Sequence, residues 1–264
     1  MQSPANDVRY LRITGPQTDK SEIQGDKRRM IESSMQLECK NMTFRYPGTD
    51  TSVFEDLSFH MAGPGFNALF GPSGVGKTSI ARMLIGDLED FSGQLQTRNI
   101  DRILYSYNLE RLPGWSAVGK HLERITTPEQ QAKREHLVDL FGMTPYIGSR
   151  FSQLSLGQKN RINLIRYLLQ DFQMLIMDES LANVDELTRE KIIFNIKALF
   201  PDKFFIYISH NIIEVSKFCR DILVLTGPGK KRATAVVRGQ DQHAGQSLQQ
   251  QHLETTMLEI MNAA

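Results

Sequence analysis

Gly71-Pro72-Ser73-Gly74-Val75-Gly76-Lys77-Thr78 lies between two apolar stretches of different character. Before it, Phe66 to Phe70 is a short, mostly apolar run that reads as a strand. After it, residues 79–88 (SIARMLIGDL) place Ile80, Met83 and Leu84 on one helical face. The octapeptide fits G-x-x-x-x-G-K-[ST], and a strand before it with a helix after it is the context that pattern needs. Glycines let backbone wrap closely around phosphate oxygens, and the N–H groups at the helix start then face the anion. The eight residues, with Ser79 beside them, are candidate nucleotide ligands. Lys77 can reach the β- and γ-phosphates, and the Thr78 hydroxyl can hold Mg2+.

Working outward, Met174-Leu175-Ile176-Met177-Asp178-Glu179 is an apolar strand that ends in two acids. A buried parallel strand ending this way puts its carboxylates at the carboxyl edge of the sheet, where open α/β folds bind ligands. Asp178 is then a candidate for the Mg2+ through its water shell, and Glu179 for the general base that polarises a water. Around this pair, helix and strand alternate: helix over 158–170, helix over 186–200, strand over 204–208, helix over 212–218 and strand over 222–225. The alternation implies parallel pairing through helical crossovers. The opening differs. Met35, Leu37 and Cys39 alternate with polar residues, and Met42, Phe44 and Tyr46 do so one position out of step. That predicts two short strand stretches with a break or bulge, in a separate antiparallel sheet.

The chain has 264 residues, 40% apolar and 23% charged, which fits a globular protein with its own core. A net charge of +1 gives no global grip on nucleic acid or anionic membrane. No apolar run approaches the ~18–20 residues of a membrane span, and residues 1–15 lack a signal-peptide core. The two cysteines, Cys39 and Cys219, form no CxxC pair and read as reduced, buried thiols. Residues 1–34 are a polar lead-in expected to be disordered. After Gly227 the chain turns polar and glutamine-rich, a tail in which Leu253 to Met261 could form a short helix.

Leu154-Ser155-Leu156-Gly157-Gln158, about 20 residues before the acidic strand, resembles the LSGGQ signature of ABC ATPases. Read without that resemblance it is a capping box, with Ser155 as N-cap and Gln158 three residues on. His210 follows a strand and matches the family's switch histidine. Asp185 matches the D-loop aspartate. Tyr46, before Pro47-Gly48, matches the aromatic residue that stacks on adenine. The motifs stand in family order over about residues 35–226. The resemblance implies a P-loop NTPase core, mostly parallel sheet flanked by helices, with an antiparallel β subdomain and an inserted helical subdomain near 109–152. It also implies head-to-tail dimerisation with a second copy or a homologous subunit, in which Ser155, Gly157 and Gln158 of one copy cap ATP on the phosphate loop of the other, with Asp185 at the same junction. Two departures stand out. The family's Q-loop glutamine falls at Asn108, a candidate Mg2+ ligand that is one methylene shorter and can reach the metal through a bridging water. Leu156 replaces a signature glycine.

The same resemblance implies an ATP-hydrolysing subunit that drives a membrane permease, on the cytoplasmic face of the membrane. Glu179 and His210 are its catalytic pair, and a solute-binding protein is a further partner. Leu112-Pro113-Gly114-Trp115 looks similar to the L-x-P-W stretch of import ATPases for nitrate, sulfonate or taurine-like solutes. A tryptophan packed inside the helical subdomain explains it equally well. The alternative function is a non-transport or weakly hydrolysing ABC ATPase acting as an ATP-dependent regulatory dimer, and Asn108 and Leu156 would favour the weak turnover.

Overall fold

A computed structural model describes residues 35–108, 110–227 and 235–264. The alternation at the start of the chain becomes one strand, β1 (Gln36–Phe44), not two. Its register against β2 (Phe54–Ala62) shifts between Cys39 and Met42, where Asn41 takes a φ of 49°. The bulge inserts the extra residue that puts the two apolar runs out of step while keeping both buried. With β4 (Ser92–Arg98) these strands form a three-stranded antiparallel sheet in the order β2-β1-β4.

The second sheet has six strands in the order β5-β6-β7-β3-β8-β9. These are β3 (Gly65–Phe70), β5 (Ile103–Tyr107), β6 (Met174–Asp178), β7 (Phe204–Ile208), β8 (Asp221–Val224) and β9 (Ala235–Arg238). All but β9 run parallel to their neighbours. Strands β6 and β7 are buried at every position. Their side chains alternate between two cores. Met174, Ile176, Phe204, Ile206 and Ile208 pack toward the antiparallel sheet and α1 (Lys77–Leu84). Leu175, Met177, Phe205 and Tyr207 pack toward a helical layer on the other face. Burial on both faces explains why these strands read as unbroken apolar runs.

The helical layer includes α2 (Val118–Ile125), α3 (Gln131–Leu140), α4 (Leu156–Leu168), α5 (Glu186–Leu199) and α6 (Ile212–Phe218). Three single 3-10 turns, at 128–130, 144–146 and 151–153, link α2, α3 and α4, so the region near 109–152 is helical but broken.

Two expectations are corrected. The helix predicted over 79–88 starts at Lys77 and ends at Leu84. The phosphate loop leads straight into it, and Gly86, at φ 77°, turns the chain out of it. The polar tail after 226 is not a separate appendage. Strand β9 pairs antiparallel with β8, and α7 (Gln250–Ala263) packs on α6 and β9. Val237, Leu253 and Ile260 are all buried. Sparse apolar residues at wide spacing carry this attachment, and a scan for apolar density passes over them. The lead-in, residues 1–34, lies outside the described residues. Both cysteines are free and buried. Among the described residues no helix is long and apolar enough to cross a membrane.

Candidate functional site

Strands β5, β6, β7 and β3 are neighbours and parallel, so their carboxyl ends form one row. Asn108 leaves β5, Asp178 ends β6 with Glu179 after it, Ser209 and His210 follow β7, and the 71–78 loop follows β3. Residues more than 100 positions apart thereby meet at a single edge.

The loop has the geometry its glycines require. Gly76 stands at φ 99°, and a Cβ there would fall 2.3 Å from the Phe54 ring. Pro72, Ser73, Gly74 and Thr78 are exposed at the rim, while Gly71, Val75, Lys77 and Ser79 are buried. The Lys77 ammonium donates to the Gly71 carbonyl at 2.7 Å and the Pro72 carbonyl at 2.8 Å. Burial lowers its pKa, opposed by Asp178 and Glu179. The Tyr46 hydroxyl shares a 2.8 Å hydrogen bond with the Ser79 hydroxyl, which ties the antiparallel sheet to α1. The Tyr46 ring packs edge-on against Phe44.

Asp178 Oδ2 accepts from the Thr78 hydroxyl at 2.7 Å and from the Tyr105 hydroxyl at 2.8 Å. Burial and then the Asp178 charge raise the Tyr105 pKa, so its proton stays in place as a donor. Sequence reasoning misses Tyr105 because an inward tyrosine on a strand looks like ordinary core. Its only signal is a place two residues from the strand end beside Asp178. Thr78 and Asp178 together are hard oxygen donors on one side of the 71–78 loop. That set suits Mg2+, which takes one or two protein oxygens and completes its shell with phosphates and water. Among the described residues no cluster of three His, Cys, Asp or Glu offers a fuller metal cage.

Glu179 adopts φ 50°, a left-handed conformation unusual for a residue with a side chain. Its N–H donates to the Ile208 carbonyl at 3.1 Å, and its carboxylate lies 3.4 Å from Nδ1 of the largely exposed His210. Asn108 is otherwise engaged. Its amide oxygen accepts from Asn160 at 3.0 Å, and the same Asn160 amide donates to the Ala182 carbonyl at 2.7 Å. The metal role expected of Asn108 therefore competes with a bond already made.

The signature-like segment forms the capping box in full. The Ser155 hydroxyl accepts from the Gln158 N–H at 3.3 Å, and Gln158 Oε1 accepts from the Ser155 N–H at 2.9 Å. Gln158 is thus committed to the box, whereas Ser155 keeps its own hydroxyl proton and stays exposed. Gly157 is in close contact: a Cβ would fall 2.2 Å from the Asn183 carbonyl oxygen. Leu156 points outward, 47% exposed. Asp185 caps α5, accepting from the Thr188 N–H at 3.0 Å, and that bond lowers its pKa. Trp115 is 74% exposed, which argues against packing inside the helical layer; Arg124 lies over its ring.

Comparison with known proteins agrees with this arrangement. Residues 54–182 match the family described as ABC transporter. The molybdenum import ATP-binding protein ModC of Mesorhizobium japonicum is 32% identical over 191 residues, 64% of this chain and 51% of that protein. The chain thus spans about half the length of that relative. The taurine import ATP-binding protein TauB of Pseudomonas putida is 29% identical over 229 residues, covering 80% of this chain and 87% of that protein. The structure of a bacterial Atm1-family ABC exporter with ATP bound superposes with a TM-score of 0.66 at 21% identity, over 86% of this chain and 41% of the exporter chain. At that identity the likeness speaks for the fold. Sequence match, fold and the clustering of the 71–78 loop with the acidic strand end agree: over residues 54–182 the chain is similar to the ABC transporter family.

Proposed function

We propose that this chain binds and hydrolyses ATP as a dimer and passes the resulting movement to a membrane permease. The observation that carries the proposal is the row formed by Lys77, Thr78–Asp178 and Glu179–His210 along one sheet edge. Lys77 leaves its two loop carbonyls to meet the terminal phosphates. Thr78 and Asp178 would hold Mg2+, which when bound would offset the negative charge of the nucleotide phosphates. Glu179 accepts a proton from the attacking water, and His210, at its side, orients that water. Ser155 and the N–H groups at the start of α4 close the site of a facing copy.

Relatives named for molybdenum and taurine import support an importer, with the exposed Trp115 as a contact for the permease. A weakly hydrolysing regulatory dimer is the second reading. The observation favouring it is the Asn108 oxygen held by Asn160.

Glu179→Gln tests the proposal. The variant should bind ATP as the parent does and lose hydrolysis by about 100-fold or more, since it removes the proton acceptor and keeps the shape. Phosphate release and nucleotide binding measured side by side decide it. A variant that turns over at the parent rate removes Glu179 from the chemistry.

A further inference from the structure

Glu214 lies on α6, four residues beyond His210, and is only 6% exposed. Both of its carboxylate oxygens are used. Oε2 accepts from the Tyr207 hydroxyl at 2.8 Å and the Ser209 hydroxyl at 3.2 Å. Oε1 accepts from the Asn211 side-chain amide at 3.1 Å and pairs with the Arg189 guanidinium. Both neighbours of His210, Ser209 and Asn211, therefore converge on one buried carboxylate. Arg189 extends the link. Its other terminal nitrogen donates to the Val184 carbonyl at 2.6 Å, in the loop between Glu179 and Asp185.

A buried carboxylate is costly unless fully paired, and this one meets four side-chain partners. Local helix capping does not need it, because Asn211 already caps α6 through the N–H groups of Ile213 and Glu214. What the pair adds is a connection between two loops that leave different strands and flank the same reacting position.

The geometry points to Glu214 as a positioning residue that, through Arg189, couples the His210 loop to the 180–185 loop. The ion pair then adds to the Glu179 N–H bond to Ile208 a second tie between the loops that carry Glu179 and His210. This rests on the proposed roles of Glu179 and His210. A coupling of this kind is reciprocal: loosening either end must loosen the other.

Amide exchange read by mass spectrometry on the full chain, with and without Mg·ATP, tests the coupling directly. Glu214→Gln, near in shape, should raise exchange about tenfold at 183–188 as well as at 209–213. Arg189→Met, approaching from the far end, should raise it at 209–213. Tyr207→Phe removes a partner of Glu214 that is not on the path and should leave 183–188 unchanged. If both link variants loosen only their own loop, Glu214 is a local cap and the inference fails. Kinetics add a second readout: Glu214→Gln should lower kcat about tenfold while the KM for ATP stays within about twofold. If the parent shows no hydrolysis, or Glu179→Gln retains it, the proposed chemistry falls, and the exchange data still decide the coupling.

Discussion

His121 shows how a single side chain can report on the fold. It sits half-buried on α2, edge-on to the Phe151 ring, with Nε2 enclosed and without a partner. Burial, then repulsion from Arg166 and Arg124, lowers its pKa from 6.5 to about 4. The folded state therefore keeps it neutral while the unfolded chain takes up a proton below the ordinary value. Stability from this group is complete above pH 6.5 and is lost as pH falls toward 4. His121→Leu should flatten that part of the acid limb, by about 1–2 kcal/mol after allowance for partial exposure. Urea titrations of parent and variant at pH 7 and pH 4.5 measure the difference. Parallel curves across that range would assign the acid sensitivity to other groups. At the opposite pole is Glu179, whose left-handed backbone stores local strain at the position proposed for proton transfer.

Helix α4 works through its first turn. Ser155 and Gln158 close a reciprocal cap, so the helix start is rigid, and Gly157 lets the 180–185 loop lie directly on it. From the same helix Asn160 bonds Ala182 and Asn108, while Asn163, Arg166 and Tyr167 all reach Glu110. One element thus ties the segment after β5 to the loop after β6. Gly157→Ala would force a methyl against the Asn183 carbonyl, and backbone on both sides cannot yield as a flexible side chain would. The expected cost is about 1–3 kcal/mol in unfolding free energy, read from denaturant titration. A variant as stable as the parent would mean that the loop moves away freely.

At the scale of the whole molecule, the carboxyl-terminal segment completes the central sheet. Deleting residues 235–264 uncovers the edge of β8 and removes Val237 and Ile260 from the core they share with Phe218 and Ile222. Val237, Leu253 and Ile260 each contribute about 1.5–3 kcal/mol by burial, so thermal unfolding should move down by about 10 °C or more. A truncated chain melting with the parent would make β9 and α7 dispensable. Local pattern made much of this architecture legible. Strict glycine placement marked the 71–78 loop, unbroken apolar runs marked β6 and β7, and the helix α6 lies over 212–218 as predicted. Each of these depends on neighbours a few residues away, which is the range over which side-chain period and turn chemistry act. The order of the strands depends on packing between elements far apart in sequence. That order alone brought Tyr105 to Asp178, turned the Asn108 oxygen toward Asn160, joined Glu214 through Arg189 to Val184 and drew the glutamine-rich segment into the sheet. Hydrogen bonds and ion pairs across such distances leave no periodic trace in a linear chain, because their partners meet only after the apolar faces have chosen one another.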